Sequence, residues 1–119
     1  DHAWFRDNAY STSACPVHPV GEKAENAWGL CDMHGNLAEW CADWYGLYAP
    51  DSPVDDPTGP ATGPYRVYRG GSWDLAASHC RAAHRYRASP LHRLVNLGFR
   101  VVAVMADPPL PSAPDGENE

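Results

Sequence analysis

Isoleucine does not occur in this 119-residue chain, leucine is scarce, and no apolar run approaches membrane-spanning length. The first two shortages exclude a core of interdigitated branched aliphatics. The third excludes a transmembrane helix, which needs about 20 consecutive apolar residues, so no membrane insertion is expected. No basic stretch followed by an apolar one marks a signal peptide. The four cysteines, Cys15, Cys31, Cys41 and Cys80, form no C-x-x-C pair and no tight zinc pattern; reduced thiols are expected. Positive charge is also in deficit: the formal net charge is −6, which offers nothing to a general nucleic-acid partner. The chain opens on Asp1 and not on Met. An upstream part is therefore expected to be missing, and the compartment is left open.

What is present is aromatic and irregular. Five tryptophans and six tyrosines point to a core of large flat rings, while twelve prolines and ten glycines oppose long helices. The length fits one domain. The pattern predicts an edge strand over Val17–Gly21 and a turn at Asp32-Met33-His34-Gly35-Asn36, with Asn36 as a cap. Leu37, Trp40, Cys41 and Trp44 recur at helical spacing, which allows a short helix or a strand-like segment. Residues 49–64 read as a long loop and 65–69 as a strand. Arg81–Arg87 is a strand or extended loop, and Gly98–Val104 a final strand. The Pro-rich acidic residues 106–119 are expected to be a disordered tail.

The stretch Arg69–Arg100 organises the rest. Gly70-Gly71-Ser72-Trp73 and Leu97-Gly98-Phe99-Arg100 are rigid-looking ends. Between them arginines and histidines recur without helical or strand period, and no glycine interrupts. The filling offers a mixed apolar, aromatic and polar patch of the kind recognition loops use: Asp74, Leu75, Ala76, Ser78, His79, His84, Tyr86, Ala88, Ser89, Leu91, His92, Leu94 and Val95. Tyr86, His84, His92, Leu94 and Asp74 are the expected main contacts. The other reading is a plain solvated loop, with the arginines paired to carboxylates and carbonyls.

Three further constellations carry chemistry. Asp32 and Glu39, with turn carbonyls between them, can supply oxygens to a hard cation such as calcium; alternatively the turn is a cap and Glu39 pairs an arginine. His79, His84 and His92 can bind a transition metal if their loops meet, or stand as separate hydrogen-bonded imidazoles. Cys80, in a His/Arg-rich setting near Ser72, is either an activated thiol or a small buried residue.

The motifs Ala27-Trp28-Gly29-Leu30, Asp32-Met33-His34-Gly35-Asn36, Glu39-Trp40-Cys41, Asp56-Pro57-Thr58-Gly59, Arg69-Gly70-Gly71-Ser72-Trp73, Cys80-Arg81 and Leu97-Gly98-Phe99-Arg100 together resemble the formylglycine-generating, sulfatase-modifying enzyme family. The resemblance implies an α+β fold, a variant of the C-type lectin fold with little regular secondary structure. Residues 1–105 would be the C-terminal part of such a domain. It also implies a structural calcium ion on Asp32 and Glu39 and on the backbone oxygens of Gly35 and Leu37. Catalysis does not carry over. The copper-using enzymes place two cysteines five residues apart after the Gly-Gly-Ser motif; Cys80 matches the second, but the first position is Leu75, which cannot ligate a metal or exchange a disulfide. No copper is expected.

The same fold is similar to that of the variable proteins of diversity-generating retroelements, whose varied residues fall in this final segment, about 74–95. Randomised asparagine-type codons never yield Lys, Glu, Gln, Met or Trp. Those five types make up 13 of 119 residues but none from Asp74 to Asn96, the bias such a process leaves. The resemblance therefore implies a ligand-binding protein with a diversified surface, facing an unidentified protein or surface ligand. The alternatives are a metal-dependent oxidase of the formylglycine-generating or sulfoxide-synthase type and a non-catalytic structural homologue.

Overall fold

The computed structural model describes residues 2–11, 14–48 and 57–103. Four short strands form one sheet: β1 (Ala38–Trp44), β2 (Arg66–Arg69), β3 (Tyr86–Ala88) and β4 (Leu97–Gly98), in the order β3-β2-β1-β4. β2 runs antiparallel to both β1 and β3, and β4 pairs parallel to β1. A single 3-10 turn, Ala77–Cys80, is the one helical segment among the described residues. The α component of the expected α+β class is not found among them; what is observed is sheet and loop. No helix among them is long and apolar enough to cross a membrane.

β1 explains the ambiguous spacing of its sequence. Trp40 opposes Tyr68 and Trp44 opposes Arg66, so five residues of β1 face three of β2 across a register shift. The extra residues bend the strand and turn both tryptophans toward β2. Trp40 meets Tyr68 edge-on at 5.8 Å and the Arg66 guanidinium lies 3.7 Å from the Trp44 ring. Cross-strand aromatic contact thus takes what looked like a helical stripe.

The buried centre is small and unusually polar. Trp4, Ala9, Ala38, Val67, Cys80 and Ala88 are its apolar members, and His18, Asn36 and Ser72 are buried with them. Asn36 holds this centre together. Its side chain accepts from the His18 amide at 3.0 Å and donates to the His18 carbonyl at 3.0 Å. Its own amide donates to the Trp4 carbonyl at 2.7 Å, and its carbonyl accepts from the Trp73 amide at 2.9 Å. Asn36 can do all this because it sits at φ 59, a left-handed conformation that asparagine tolerates better than most residues. Gly35 beside it, at φ 74, lies against the Trp4 backbone, and a Cβ there would overlap the Trp4 carbonyl oxygen.

Two expected strands are replaced for identifiable reasons. Val17–Gly21 is not a strand, because His18 gives its backbone N–H and C=O to the Asn36 side chain and not to a neighbouring strand. The final strand is only Leu97–Gly98 and not Gly98–Val104: beyond it Arg100 turns back onto Glu39 and the Cys31 and Asp32 carbonyls. Phe99, Val101 and Val102 are left exposed. The expected strand or extended loop over Arg81–Arg87 starts instead as a turn, closed by the His84 amide on the Arg81 carbonyl at 2.9 Å, and β3 begins at Tyr86. Residues 57–64 are irregular, as the loop expectation requires. Residues 49–56 of that loop, Val104 and the 106–119 tail lie outside the described residues.

Asn36→Ala is expected to destabilise the protein by about 3 kcal/mol, since it strands two buried backbone groups of His18. Asn36→Gly, which loses the same bonds but accepts φ 59 freely, should cost about 1 kcal/mol less. Urea unfolding of the two variants and the parent measures both differences.

Candidate functional site

The two ends of the Arg69–Arg100 stretch are joined by a part-buried polar latch. Ser72, fully buried, donates its hydroxyl to Asp74 Oδ1 at 2.6 Å. Asn96, from the other end, donates its amide to Asp74 Oδ1 at 3.0 Å and Oδ2 at 3.1 Å. Arg6 adds a bond from Nε to the Asp74 carbonyl at 3.0 Å, and its amide bonds the Leu75 carbonyl. Burial alone would raise the Asp74 carboxyl, but the hydrogen bonds from Ser72 and Asn96 and the charge of Arg6 hold it below the usual carboxylate range. Asp74 is therefore committed to the frame and does not stand free as a surface contact.

Beside the latch lies a group of contacting rings. Tyr86 on β3 lies opposite Tyr68 on β2, and their rings stack at 5.1 Å and 11°. The His84 ring lies 4.4 Å from Tyr86 and 5.1 Å from His79, and His79 is 6.3 Å from Tyr86. All four are half-buried. The His84 imidazole is held below its ordinary value, first by burial and then by the neighbouring His79 and Arg81 charges. The Tyr86 and Tyr68 phenols are pushed up, again mainly by burial. The Tyr86 and Tyr68 phenols stay protonated at neutral pH, and the group presents rings with polar edges.

The remaining expected positions separate by environment. Leu91, His92, Leu94 and Val95 form an exposed loop; Leu91 is 88% and Val95 84% exposed. Ser78 is exposed, and Leu75, Ala76 and Ser89 are half-buried. Ala88 departs from expectation. It is buried in β3 opposite Arg66 and faces the core. Between Asp74 and Val95 only Cys80 and Ala88 are buried.

The histidines do not converge as a triad. His79 and His84 touch, while His92 sits on the exposed loop. No group of three or more His, Cys, Asp or Glu side chains that could hold a metal occurs among the described residues. Cys80 is buried against Gly71, where a Cβ would stand 2.7 Å from its Sγ. Burial pushes its thiol up, against a lowering hydrogen bond from the Gly35 backbone. That is the environment of a small packing residue and not of an activated nucleophile.

The four residues expected at a cation site do come together. Asp32, Gly35, Leu37 and Glu39 line one cavity of about 460 Å³. Arg100 lies in it. Its Nε and Nη2 donate to the two Glu39 oxygens at 2.6 and 2.7 Å, and Nη2 reaches the Asp32 carbonyl at 3.2 Å. Asp32 Oδ2 accepts from the Gly21 amide at 2.7 Å. The oxygen donors are of the right chemistry for a hard cation, and of them the Arg100 guanidinium occupies the Glu39 carboxylate.

Sequence reasoning missed Tyr68 and Trp40, which complete the ring group, and the arginine–tyrosine stacks on the other side of the sheet. There Arg85 lies 4.8 Å from the Tyr45 ring and 4.2 Å from the Tyr48 ring, and Arg87 lies over Tyr45 and Tyr65. The alternation Arg66-Val67-Tyr68-Arg69 holds the signal for this two-faced division. It becomes readable only once β3 is known to be the partner.

Residues 2–105 match the sulfatase-modifying factor enzyme 1-like domain. The formylglycine-generating enzyme of Streptomyces coelicolor is 44% identical over 86 residues, which cover 69% of this chain and 27% of that protein. The serine/threonine-protein kinase pkn1 of Chlamydia caviae is 45% identical over 87 residues, 69% of this chain and 14% of its own length. The chain thus spans only a minor part of these relatives. Among solved structures, Treponema denticola variable protein 1 superimposes with a TM-score of 0.72 at 42% identity, over 82% of this chain and 34% of that one.

Asp74 sets a pH dependence. Its folded carboxyl titrates below the unfolded one, so between those values the unfolded chain binds more protons and stability rises with pH. The contribution is complete above the ordinary carboxylate value and is lost as pH falls through the depressed one. Asp74→Asn should therefore destabilise the protein more at pH 7 than at pH 2. Chemical unfolding of parent and variant at both pH values tests this.

Proposed function

The chain belongs to the sulfatase-modifying factor enzyme 1-like family, and from that premise we propose that it is a ligand-binding variable protein whose 74–95 segment is diversified by a retroelement. The observation that carries the reading is the division between latch and filling. Ser72, Asp74 and Asn96 close the segment, while the ring group and the 91–95 loop leave contact area on its surface. Aromatic and imidazole rings give such a surface large area with few rotatable bonds. Exposed Leu91, Leu94 and Val95 gain a reason to be apolar once a ligand covers them. Leu75 at the first catalytic cysteine position and the raised Cys80 thiol weigh against the oxidase alternative. The likeness to a protein named as variable supports the choice among family members, as does the absence of Lys, Glu, Gln, Met and Trp from Asp74 to Asn96.

A structural calcium ion is part of the proposal. Asp32, Glu39 and the Gly35 and Leu37 backbone oxygens would hold it, tying a turn that buries little apolar surface. It would compete with Arg100 for Glu39.

Three measurements test this reading. In the genome, a near-copy of the 69–100 coding segment should lie beside a reverse transcriptase and differ only at adenines; its absence removes the diversification claim. The triple variant Leu91→Ser, Leu94→Ser, Val95→Ser should unfold within about 1.5 kcal/mol of the parent, because exposed substitutions each change stability by about 0.5 kcal/mol or less. Calcium should raise the melting temperature, and the gain should be larger in Arg100→Gln, where Glu39 has lost its internal cation; identical melting in calcium and in a chelator, for both proteins, excludes the ion.

A further inference from the structure

On the face of the sheet away from the ring group, a cavity of about 630 Å³ opens between the end of β1 and the 57–60 segment. Two guanidinium groups line it, Arg69 from β2 and Arg85 from the loop before β3. Both are held in place by neutral partners. Arg69 donates from Nη1 to the Ala82 carbonyl at 2.7 Å and from Nη2 to the Tyr48 hydroxyl at 3.1 Å. Arg85 donates from Nη2 to the Gly46 carbonyl at 2.7 Å and stacks on Tyr45 and Tyr48. Among the described residues neither arginine has a carboxylate partner within ion-pair distance. In a chain of net charge −6 that is a notable choice of partners. Each guanidinium carries five N–H donors, and these contacts among the described residues use only part of them.

We propose that this cavity binds the oxyanion group, phosphate or carboxylate, of a small ligand, with Arg69 and Arg85 as its charged donors and the Tyr48 hydroxyl between them. The arginines are already fixed by carbonyls and rings, so little side-chain freedom is lost when an anion arrives. Tyr48 accepts from the guanidiniums and so has its own proton to donate outward. Its phenol is lowered, first by the hydrogen bond from Arg85, and with charge from both arginines. Trp44 and Pro60 add apolar wall beside the donors, which suits an anion carried on an apolar or ring-shaped body. Among the described residues of the lining Asp43 is the one carboxylate, set against two guanidiniums. None of the thirteen surface positions named above lines this cavity, so the inference stands apart from the diversified-surface reading.

The test titrates inorganic phosphate, and in a parallel arm acetate, into the whole chain at low ionic strength by calorimetry. Saturable one-site binding of either anion is expected, and the preferred arm identifies the ligand group as phosphate or carboxylate. Arg85→Gln should weaken it by about tenfold or more, as the loss of one charge-assisted donor does. Because Arg85 also holds the Gly46 loop, Asp43→Asn provides a second measurement that removes no arginine contact. It takes away the one opposing charge among the described lining residues and should tighten binding by about two- to fivefold. Absence of saturable binding in both arms overturns the proposal. So does binding whose affinity is the same in the parent, Arg85→Gln and Asp43→Asn.

Discussion

Everything in this fold depends on the buried side chain of Asn36. A carboxamide carries donors and an acceptor in one plane, so it can pair with both the N–H and the C=O of a single residue as a neighbouring strand would. Here it does so with His18, while its own backbone ties Trp4 and Trp73. Four segments far apart in sequence are thereby fixed with no helix and little sheet. The apolar core is too small to do this alone. Among its members the largest side chain is Trp4, and Ser72 is the largest that is wholly enclosed. In such a centre specificity comes from polar groups that cost free energy if left unpaired, and that cost is what makes the arrangement unique.

Much of this was legible in the chain, and the failures share a cause. The turn at Asp32–Asn36 and the strand at 66–69 follow from local chemistry, glycine and asparagine in one case and alternation in the other. Asn36 itself was read as a helix cap, because its real partner is 18 residues upstream and no periodicity connects them. The tryptophans of β1 pointed equally to a helix, since a register shift in a strand and a helical turn give similar spacings. The final valine-rich run looked like a long strand, but Arg100 withdraws the backbone after two residues. The thirteen surface positions were found as a segment; that Ala88 faces inward and Asp74 belongs to the latch depends on β2–β3 pairing and on Asn96. Local signals fixed conformations, and long-range hydrogen bonds decided roles.

The sheet also separates two kinds of surface chemistry. On one face tyrosines and histidines pack ring against ring, and burial pushes the tyrosine phenols up and the His84 imidazole down. On the other, tyrosines stack under guanidiniums. Strand alternation alone produces this division, since Tyr68 and Arg69 are neighbours in sequence and point to opposite sides. A short β2 thus serves a neutral aromatic patch and a cationic pocket with four residues.

The latch between Ser72, Asp74 and Asn96 has an evolutionary consequence. The entropic penalty for closing a loop depends on how many residues it contains and hardly at all on which ones they are. A segment fastened at its two ends by Ser72, Asp74 and Asn96 can therefore exchange exposed residues between Asp74 and Asn96 while the energy of fastening stays constant. Natural immunity to substitution normally requires a large and redundant core. Here the fastening rests on three polar side chains, Ser72, Asp74 and Asn96.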